Sequence, residues 1–201
     1  MPDLPSVVVV AALASLALLA LREQLRAARA GRRYRMAGLG LVDDDTDLHT
    51  LGAVPIYFPT EVDIARALGQ QLTVAVLRVD AEPVQAAGRE LASAMRRYEH
   101  AYRADYGTFV AVLLVNDRAA AVEAVSRLGR LMESTVTETS ATNRHPVHVG
   151  VAQAGDDGTD FLDLAGVASK RLRALHAFED IARSISETRD GGAERQNPVS
   201  G

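Results

Sequence analysis

Between residues 43 and 185, the hydrophobic positions of the chain alternate between two kinds of spacing. Aliphatic and β-branched runs cover Leu72–Val79 and Phe109–Val115, and an alternating run covers Val147–Ala152. Runs of this length and composition are typical of buried strands. Apolar residues three or four apart precede and separate the runs, which is typical of amphipathic helices. The pattern therefore predicts a domain in which strands and helices alternate.

Four helices are predicted from their cap residues and apolar stripes. Thr60 is predicted to cap the N-terminus of the first helix, because hydroxyl side chains are favoured there. Gly69 is predicted to end that helix, because glycine readily adopts the left-handed conformation that follows a helix C-terminus. Pro83 opens the second helix, whose apolar stripe includes Tyr98 and Tyr102. The last two helices begin at residues that suit a helix N-terminus, namely Asn116 or Asp117 for one and Thr159 or Asp160 for the other.

A β-hairpin is predicted between the second and third helices. A short strand leads into a tight turn at Asp105-Tyr106-Gly107, and the apolar strand Phe109–Val115 follows. The polar stretch Ser134–Arg144 is predicted to be a loop. The element order is then helix, β, α, β, β, α, β, α. It predicts the ferredoxin-like α+β fold, βαββαβ, in which two helices back a four-stranded antiparallel sheet.

Residues 1–21 are predicted to form a transmembrane anchor. Leu4–Leu21 carries no charge over eighteen residues, and a membrane helix needs about 20 apolar residues, with a lower limit of about 17. A cleaved signal peptide fits less well, because only Asp3 precedes the run as a charge and no small-residue cleavage site follows it. A buried core helix fits less well too, because every face is apolar. Ala11 and Ser15 would permit close helix association.

Residues 22–42 are predicted to form a basic juxtamembrane helix and linker. By the positive-inside rule, this basic segment and the domain after it lie in the cytoplasm, and the N-terminus lies outside. The result is a single-pass protein of the inner (plasma) membrane. Six arginines would contact anionic headgroups: Arg22, Arg26, Arg29, Arg32, Arg33 and Arg35. Because the membrane accounts for them and the net charge is −4, nucleic acid is not a predicted partner.

The remaining composition excludes several kinds of site. The chain has no cysteine, which rules out disulfides and thiolate chemistry. Asp43–Asp45 lack the alternating spacing and glycine of a calcium loop, so a solvated helix-start cluster is the favoured interpretation. The polar residues 186–201 predict a disordered tail. No metal or cofactor is predicted, since the five histidines share no metal-ligand spacing: His49, His100, His145, His148 and His176.

Residues 43–185 are predicted to form one domain, and the stretch from about Asp43 to Phe178 resembles a GGDEF domain, the domain of the diguanylate cyclase family. The family signature R-Y-G-G-[DE]-E-F, followed by an apolar strand, corresponds to Arg103–Phe109 (RADYGTF) followed by VAVLL. Val147–Ala152 resembles the family's S-I-G-[IV]-A strand and Ala168–Arg173 its A-D-x-A-L-Y helix. Asp44–Leu48 is similar to its opening D-x-L-T-G-L. The resemblance implies a nucleotide-cyclase type of fold.

The resemblance also implies that the cyclase chemistry has been lost. The family binds metal through a carboxylate after the first strand, and Arg78 occupies that position. The catalytic acid of the signature aligns with Gly107 or Thr108, and its two glycines align with Asp105 and Tyr106. About a dozen residues that help to hold the nucleotide after the first strand are missing, near the length of a βα connection. No catalytic residue is therefore assigned.

One ligand motif of the family has a counterpart. Many members bind cyclic di-GMP at an R-x-x-D just before the signature, and Arg96-Arg97-Tyr98-Glu99 supplies an R-x-x-E at the same offset. Arginine suits phosphate, and an acid can accept from a guanine edge. The competing interpretation is a solvated charged helix face, which is favoured because such residue pairs are frequent on helices.

Three functions stay open on this evidence. The first is a membrane-anchored, catalytically inactive regulatory or scaffold protein that acts through a protein partner or as a homodimer. The second is a receptor that still binds cyclic di-GMP or GTP without cyclase activity. The third, disfavoured by the replaced metal ligands, is an active diguanylate cyclase or an enzyme with a repurposed site.

Overall fold

A computed structural model of the chain describes residues 39–137 and 146–179. The predicted anchor, most of the basic linker and the predicted tail lie outside the described residues. The folded domain begins at Asp43. Its strands are β1 (His49–Thr50), β2 (Gln71–Val79), β3 (His100–Arg103), β4 (Thr108–Val115), β5 (Val147–Gln153) and β6 (Arg173–Ala174). Its α-helices are α1 (Val54–Leu68), α2 (Val84–Ala94), α3 (Arg118–Thr137) and α4 (Phe161–Lys170), and a 3₁₀ turn (Leu51–Ala53) precedes α1.

The strands form one six-stranded sheet in the order β1-β3-β4-β2-β5-β6. Its four central strands are antiparallel and follow the ferredoxin-like order, which confirms the predicted core and the α+β class. The sheet is wider than predicted because two-residue strands extend both edges. β1 adds to β3 in parallel and β6 adds to β5 in antiparallel.

Helices cover both faces of this sheet, whereas two backing helices were predicted. On one face, Ala75, Leu77 and Val79 of β2 join a core cluster with residues of α2 and α3. On the other face, α1 and α4 contact β2, and Phe58 meets Phe161 edge to face with ring centroids 5.5 Å apart. A strand buried on both faces has no polar side to expose. That explains why β2 and β4 are mostly apolar, although β2 also contains Gln71, Thr73 and Arg78.

The first helix begins earlier than predicted. α1 starts at Val54, with a proline in its first turn, so Thr60 lies inside the helix and does not cap it. Proline is suited to a helix start because its missing N–H has no partner to lose there. The predicted end is confirmed, since Gly69 has the left-handed φ of 62° and its N–H bonds back to α1.

The second helix ends earlier than predicted. α2 stops at Ala94, and Tyr98 lies in a turn with 42% of its surface exposed. Tyr102 belongs to β3 and is fully buried. The helical spacing was misleading because β3 gains backbone hydrogen bonds from β4 on one side and β1 on the other. Pairing with neighbouring strands therefore overrides a local periodicity.

Two helix starts match their predicted caps. The carboxylate of Asp117 accepts from the N–H of Ala120 at 2.8 Å, and that of Asp160 accepts from the N–H of Asp163 at 2.9 Å. α3 continues to Thr137, so the loop predicted from Ser134 is wrong for its first four residues. The rest of that loop falls on 138–144, outside the described residues.

No helix among the described residues is long and apolar enough to cross a membrane. The predicted anchor at Leu4–Leu21 lies outside this range.

Candidate functional site

The predicted turn at residues 105–107 joins β3 to β4 and is closed by its own side chain. The N–H of Gly107 donates to Oδ1 of Asp105 at 3.1 Å, and the N–H of Ala104 donates to the carbonyl of Thr108 at 2.9 Å. An aspartate that bonds to the backbone two residues later is a common way to stabilise a turn. The Asp105 carboxylate is thus used to hold the tip in shape.

The tip also lies directly against the end of β2. The N–H of Val79 donates to the carbonyl of Gly107 at 2.8 Å. A Cβ atom at position 107 would stand 2.7 Å from the Val79 carbonyl oxygen, closer than real Cβ contacts come. This backbone geometry therefore requires glycine, at one of the two positions where the resemblance places the catalytic acid.

Arg103 links the hairpin to the start of the domain. Its Nη1 donates to Oδ1 and Oδ2 of Asp43 at 2.8 and 2.9 Å and lies 3.3 Å from Oδ2 of Asp45. Asp43 also accepts from the N–H and hydroxyl of Thr46. Partial burial would raise the pKa of Asp43, but the hydrogen bonds from Thr46 and Arg103 outweigh it and lower this pKa.

These contacts correct the interpretation of Asp43–Asp45 as a solvated helix-start cluster. The segment is a turn, and the next helical residue is Leu51. Asp43 accepts within its own turn, and both Asp43 and Asp45 meet the guanidinium of Arg103. The three acids were adjacent in sequence, but Arg103, the partner of two of them, lies 60 residues from Asp43 and 58 from Asp45.

A second set of polar contacts lies at the end of β2. The guanidinium of Arg78 binds Asp80 through Nε at 3.1 Å and Nη2 at 3.2 Å, and Nδ1 of His148 lies 3.2 Å from Oδ2 of Asp80. The hydroxyl of Tyr106 donates to Oε1 of Glu82 at 2.6 Å, which lowers the pKa of Glu82 and raises that of Tyr106. Each of these carboxylates has a donor from the protein itself.

Solved structures with the same fold were found by comparison. A sensory box/GGDEF family protein from Caulobacter crescentus matches 70% of this chain and 98% of its own length, with 22% identity and a TM-score of 0.55. The coiled coil and GGDEF domain of DgcB from Caulobacter crescentus, solved in complex with c-di-GMP, matches 89% of this chain and 95% of its own, with 16% identity and a TM-score of 0.51. The fold is GGDEF-like.

Neither family models nor curated proteins add to this result, since none matches the chain. At these identities the structural likeness establishes the fold of the GGDEF-like domain and leaves its chemistry to its own residues. The resemblance seen in the signature and its flanking elements is confirmed at the level of fold.

The residues of the GGDEF-like hairpin do not fit the divalent-cation site that the resemblance implies. Cations such as Mg²⁺ take oxygen ligands. Arg78 stands at the expected ligand position, and its guanidinium binds the carboxylate of Asp80. Gly107 has no side chain to offer, and Asp105 bonds to its own turn. Across residues 39–137 and 146–179, no three histidine or acidic side chains are grouped to hold a metal.

The R-x-x-E motif adopts a turn where a charged helix face was the favoured interpretation. Glu99 is buried, and its Oε2 accepts from the N–H of Arg96 at 3.1 Å. Arg96 and Arg97 are exposed, and the guanidinium of Arg97 lies over the ring of Tyr98 at 5.3 Å. The acid of the motif therefore shapes the turn, while its two arginines face solvent. Nucleotide binding by these residues stays a prediction.

A buried polar cluster of the GGDEF-like domain was missed from the sequence. Glu61 of α1 is 1% exposed, and its Oε1 lies 2.7 Å from Nδ1 of His100 in β3. The ring of Tyr57 stacks on that of His100 with centroids 4.4 Å apart. Burial raises the pKa of Glu61 despite the opposing effect of His100, and burial beside Glu61 raises the pKa of Tyr102. No local sign of this role was visible, because the first helix was predicted to begin at Thr60 and an acid such as Glu61 is ordinary in a first helical turn.

Proposed function

We propose that the chain is a membrane-anchored, catalytically inactive GGDEF-like protein that acts in regulation or as a scaffold through protein contacts. The observation that carries this proposal is the contact between Arg78 and Asp80 at the end of β2. A guanidinium bound to the carboxylate supplies a positive charge where phosphoryl chemistry needs metal ions. The glycine required at position 107 removes a second acid from the same end of the sheet.

The retained contacts support a scaffold role. Arg103 spans β3 and the first turn of the domain, and its side chain is 12% exposed. Phe109, the other framing residue of the signature, is fully buried in the core cluster. Both residues serve the shape of the hairpin. This is what we expect of a domain retained for its surface after its chemistry has been replaced.

Cyclase activity is tested directly by incubating the purified full-length chain with GTP and Mg²⁺ and measuring cyclic di-GMP by chromatography. We expect no product above a reaction without protein, while an active diguanylate cyclase in the same buffer serves as the positive control. Product that depends on protein concentration would overturn the proposal and favour the active-cyclase alternative.

The helices on one face of the sheet offer a surface for a protein partner. α1 exposes Ile56 and Leu68, and α4 exposes 78% of Leu162. Phe58 and Phe161 bring these two helices into contact, so the exposed aliphatic side chains belong to one helical layer. Apolar side chains in a common layer suit a protein interface when they form a continuous patch.

The partner surface is tested by chemical cross-linking in membranes, followed by affinity purification and mass spectrometry. We expect the wild-type chain to capture a specific protein or a second copy of itself, and Leu162→Asp to lose that capture. Glu123→Lys on α3, also exposed and on a helix of the opposite sheet face, is the control and retains it. Identical cross-links from wild type and Leu162→Asp would contradict this surface.

The anchor and its orientation form a separate part of the proposal, supported by Leu4–Leu21 and the arginines that follow. Because the chain has no cysteine, single cysteines report each side of the membrane. In intact cells, a membrane-impermeant maleimide is expected to label Pro2→Cys and not Ser200→Cys. Labelling of Ser200→Cys, or recovery of the chain in the aqueous fraction, would contradict the proposed topology.

A receptor for cyclic di-GMP or GTP is the second candidate function. It is favoured by the turn at Arg96–Glu99, which presents two neighbouring guanidinium groups to solvent. Guanidinium groups bind phosphate through charge-assisted hydrogen bonds. Calorimetry is expected to show binding of cyclic di-GMP, and Arg96→Gln is expected to weaken it. Arg66→Gln, at an exposed position of α1, is the control and should leave the binding unchanged. Absence of heat at high micromolar ligand would exclude this candidate.

A further inference from the structure

A cavity of about 270 Å³ opens beside β5, at the opposite end of β2 from the hairpin tip. Its polar lining combines three arginines with one aspartate and one glutamine, and its apolar lining consists of Val122, Val151 and Phe178. Three guanidinium groups against one carboxylate leave a formal charge of +2. A cavity with that charge favours an anionic ligand.

One arginine forms a fixed wall of this cavity. Arg171 donates from Nη2 to Oδ1 of Asp157 at 2.6 Å and from Nη1 to Oδ2 at 2.8 Å, and Nη1 also reaches the carbonyl of Val151 at 3.1 Å. Asp157 in turn accepts from the N–H of Gln153 at 2.9 Å. The hydrogen bonds from Arg171 lower the pKa of Asp157. The pair is therefore charged, planar and held to the end of β5.

The other two arginines differ from Arg171. Arg118 at the start of α3 and Arg173 in β6 are exposed, and neither side chain makes an ion pair or a hydrogen bond with another described residue, although the charge of Arg118 contributes to lowering the pKa of Asp157. They come from elements on opposite sides of β5 in the sequence and line the same cavity. Two guanidinium groups that line one cavity can bind one phosphate through several charge-assisted hydrogen bonds.

The apolar side of the cavity and its volume define the rest of the ligand. Phe178, on the helical stretch at 175–179, is 9% exposed and lines the cavity together with Val122 of α3. Pockets for drug-sized ligands usually measure about 300–1,000 Å³. At about 270 Å³, this one suits a ligand at or just below the small end of that range, with a ring system or a short apolar portion.

We propose that this cavity binds a small phosphate ester, with the phosphate between Arg118 and Arg173 and a ring or apolar group against Phe178 and Val122. The site lies at the far end of β2 from the signature hairpin, and no described residue of the R-x-x-E motif lines it. It would give the domain a small-molecule input without cyclase chemistry. It does not depend on the proposed lack of activity.

The test is calorimetry on the purified full-length chain with four probes: phenyl phosphate, adenosine monophosphate, inorganic phosphate and adenosine. We expect at least one ester to bind about tenfold more tightly than inorganic phosphate, with no binding of adenosine, because both halves of the site must be filled. Arg118→Gln and Arg173→Gln should each weaken the ester by at least about tenfold, the effect of losing one charge-assisted hydrogen bond.

Arg127→Gln is the matched control, since Arg127 is exposed on the same helix as Arg118 but does not line the cavity. It should leave the affinity unchanged within about twofold. The proposal is overturned if neither ester binds at about 1 mM, if inorganic phosphate binds as tightly as the esters, or if the cavity substitutions and Arg127→Gln have equal effects. Circular dichroism of the variants establishes that each is folded.

Discussion

Two polar clusters of the domain join an acid and a base from distant parts of the chain, yet they differ in burial. In the hairpin cluster, Arg103 meets Asp43 at a partly open edge, and the side chain of Asp43 is 22% exposed. In the inner cluster, Glu61 meets His100 beneath α1, and Glu61 is 1% exposed. In the first, burial is the largest single effect, but the hydrogen bonds and the charge of Arg103 together outweigh it and lower the pKa of Asp43. Loss of hydration dominates in the second and raises the pKa of Glu61.

Similar contacts therefore have different consequences in the two clusters. An acid that keeps some water and gains donors is stabilised in its charged form. A buried acid with one such partner is stabilised in its protonated form. The hairpin cluster is an electrostatic tie between elements, whereas the inner cluster is a polar group that the core accommodates at a cost.

The largest expected effect comes from cutting the tie. Arg103→Ala removes the guanidinium and leaves Asp43 partly buried without its cation, which we expect to lower the free energy of unfolding by about 2–3 kcal/mol. Urea denaturation followed by circular dichroism measures the change. A loss below about 0.5 kcal/mol would show that the tie is an ordinary surface ion pair.

The shape of the tip is tested by Gly107→Ala. The new Cβ would stand 2.7 Å from the carbonyl oxygen of Val79, so the two strands must move apart, at a cost of about 1–3 kcal/mol. Gly166→Ala in α4 is the matched control, because nothing lies within 4 Å of its Cβ position, and it should stabilise the helix by about 0.5–1 kcal/mol. Equal effects of the two substitutions would contradict the close contact at the tip.

The opposite pKa shifts predict opposite dependences of stability on pH. The pKa of Glu61 is raised in the fold. Its contribution to the free energy of unfolding is therefore present below the ordinary value of 4.5 and is lost as pH rises through the folded pKa. Wild type should therefore lose stability relative to Glu61→Gln as pH rises above 4.5. The pKa of Asp43 is lowered, so wild type should lose stability relative to Asp43→Asn as pH falls below 3.8.

Urea denaturation midpoints of wild type and the variants, measured across this pH range, test both dependences. Asp63→Asn, at an exposed position of α1, provides the control. Its difference from wild type should be small, because an exposed ion pair contributes little. Two profiles of the same sign for Glu61→Gln and Asp43→Asn would show that burial does not separate the clusters.

The smallest expected effect is that of Arg78→Ala at the end of β2. Its side chain is 46% exposed and that of Asp80 is 37% exposed, so the contact should contribute no more than about 1 kcal/mol to unfolding. Denaturation measured beside Arg103→Ala sharpens the contrast between the exposed and the partly buried arginine. A loss as large as that of Arg103→Ala would contradict it.

Elements governed by neighbours in sequence were predictable. β2 and β4 follow from their mostly aliphatic and β-branched runs, and the turn at 105–107 follows from its own aspartate and glycine. Asp117 and Asp160 cap their helices through N–H groups three residues away. In each case the decisive contact lies within the segment, and the segment's own composition reveals it.

Elements governed by partners elsewhere in the chain were not predictable. β1 and β6 are two residues long and exist because β3 and β5 offer free edges. Tyr102 follows a helical spacing but lies in a strand because backbone groups on both sides need partners. Two-residue strands leave no periodicity to detect.

The sequence by itself determined the fold class, the central sheet and the hairpin. Tertiary structure alone decided that Asp43 meets Arg103 across 60 residues, that Glu61 meets His100 across 39, and that Arg118 and Arg173 line one cavity. The physical reason is range. Local structure depends on contacts within a few residues, whereas a site depends on which distant side chains the packed sheet and helices bring together.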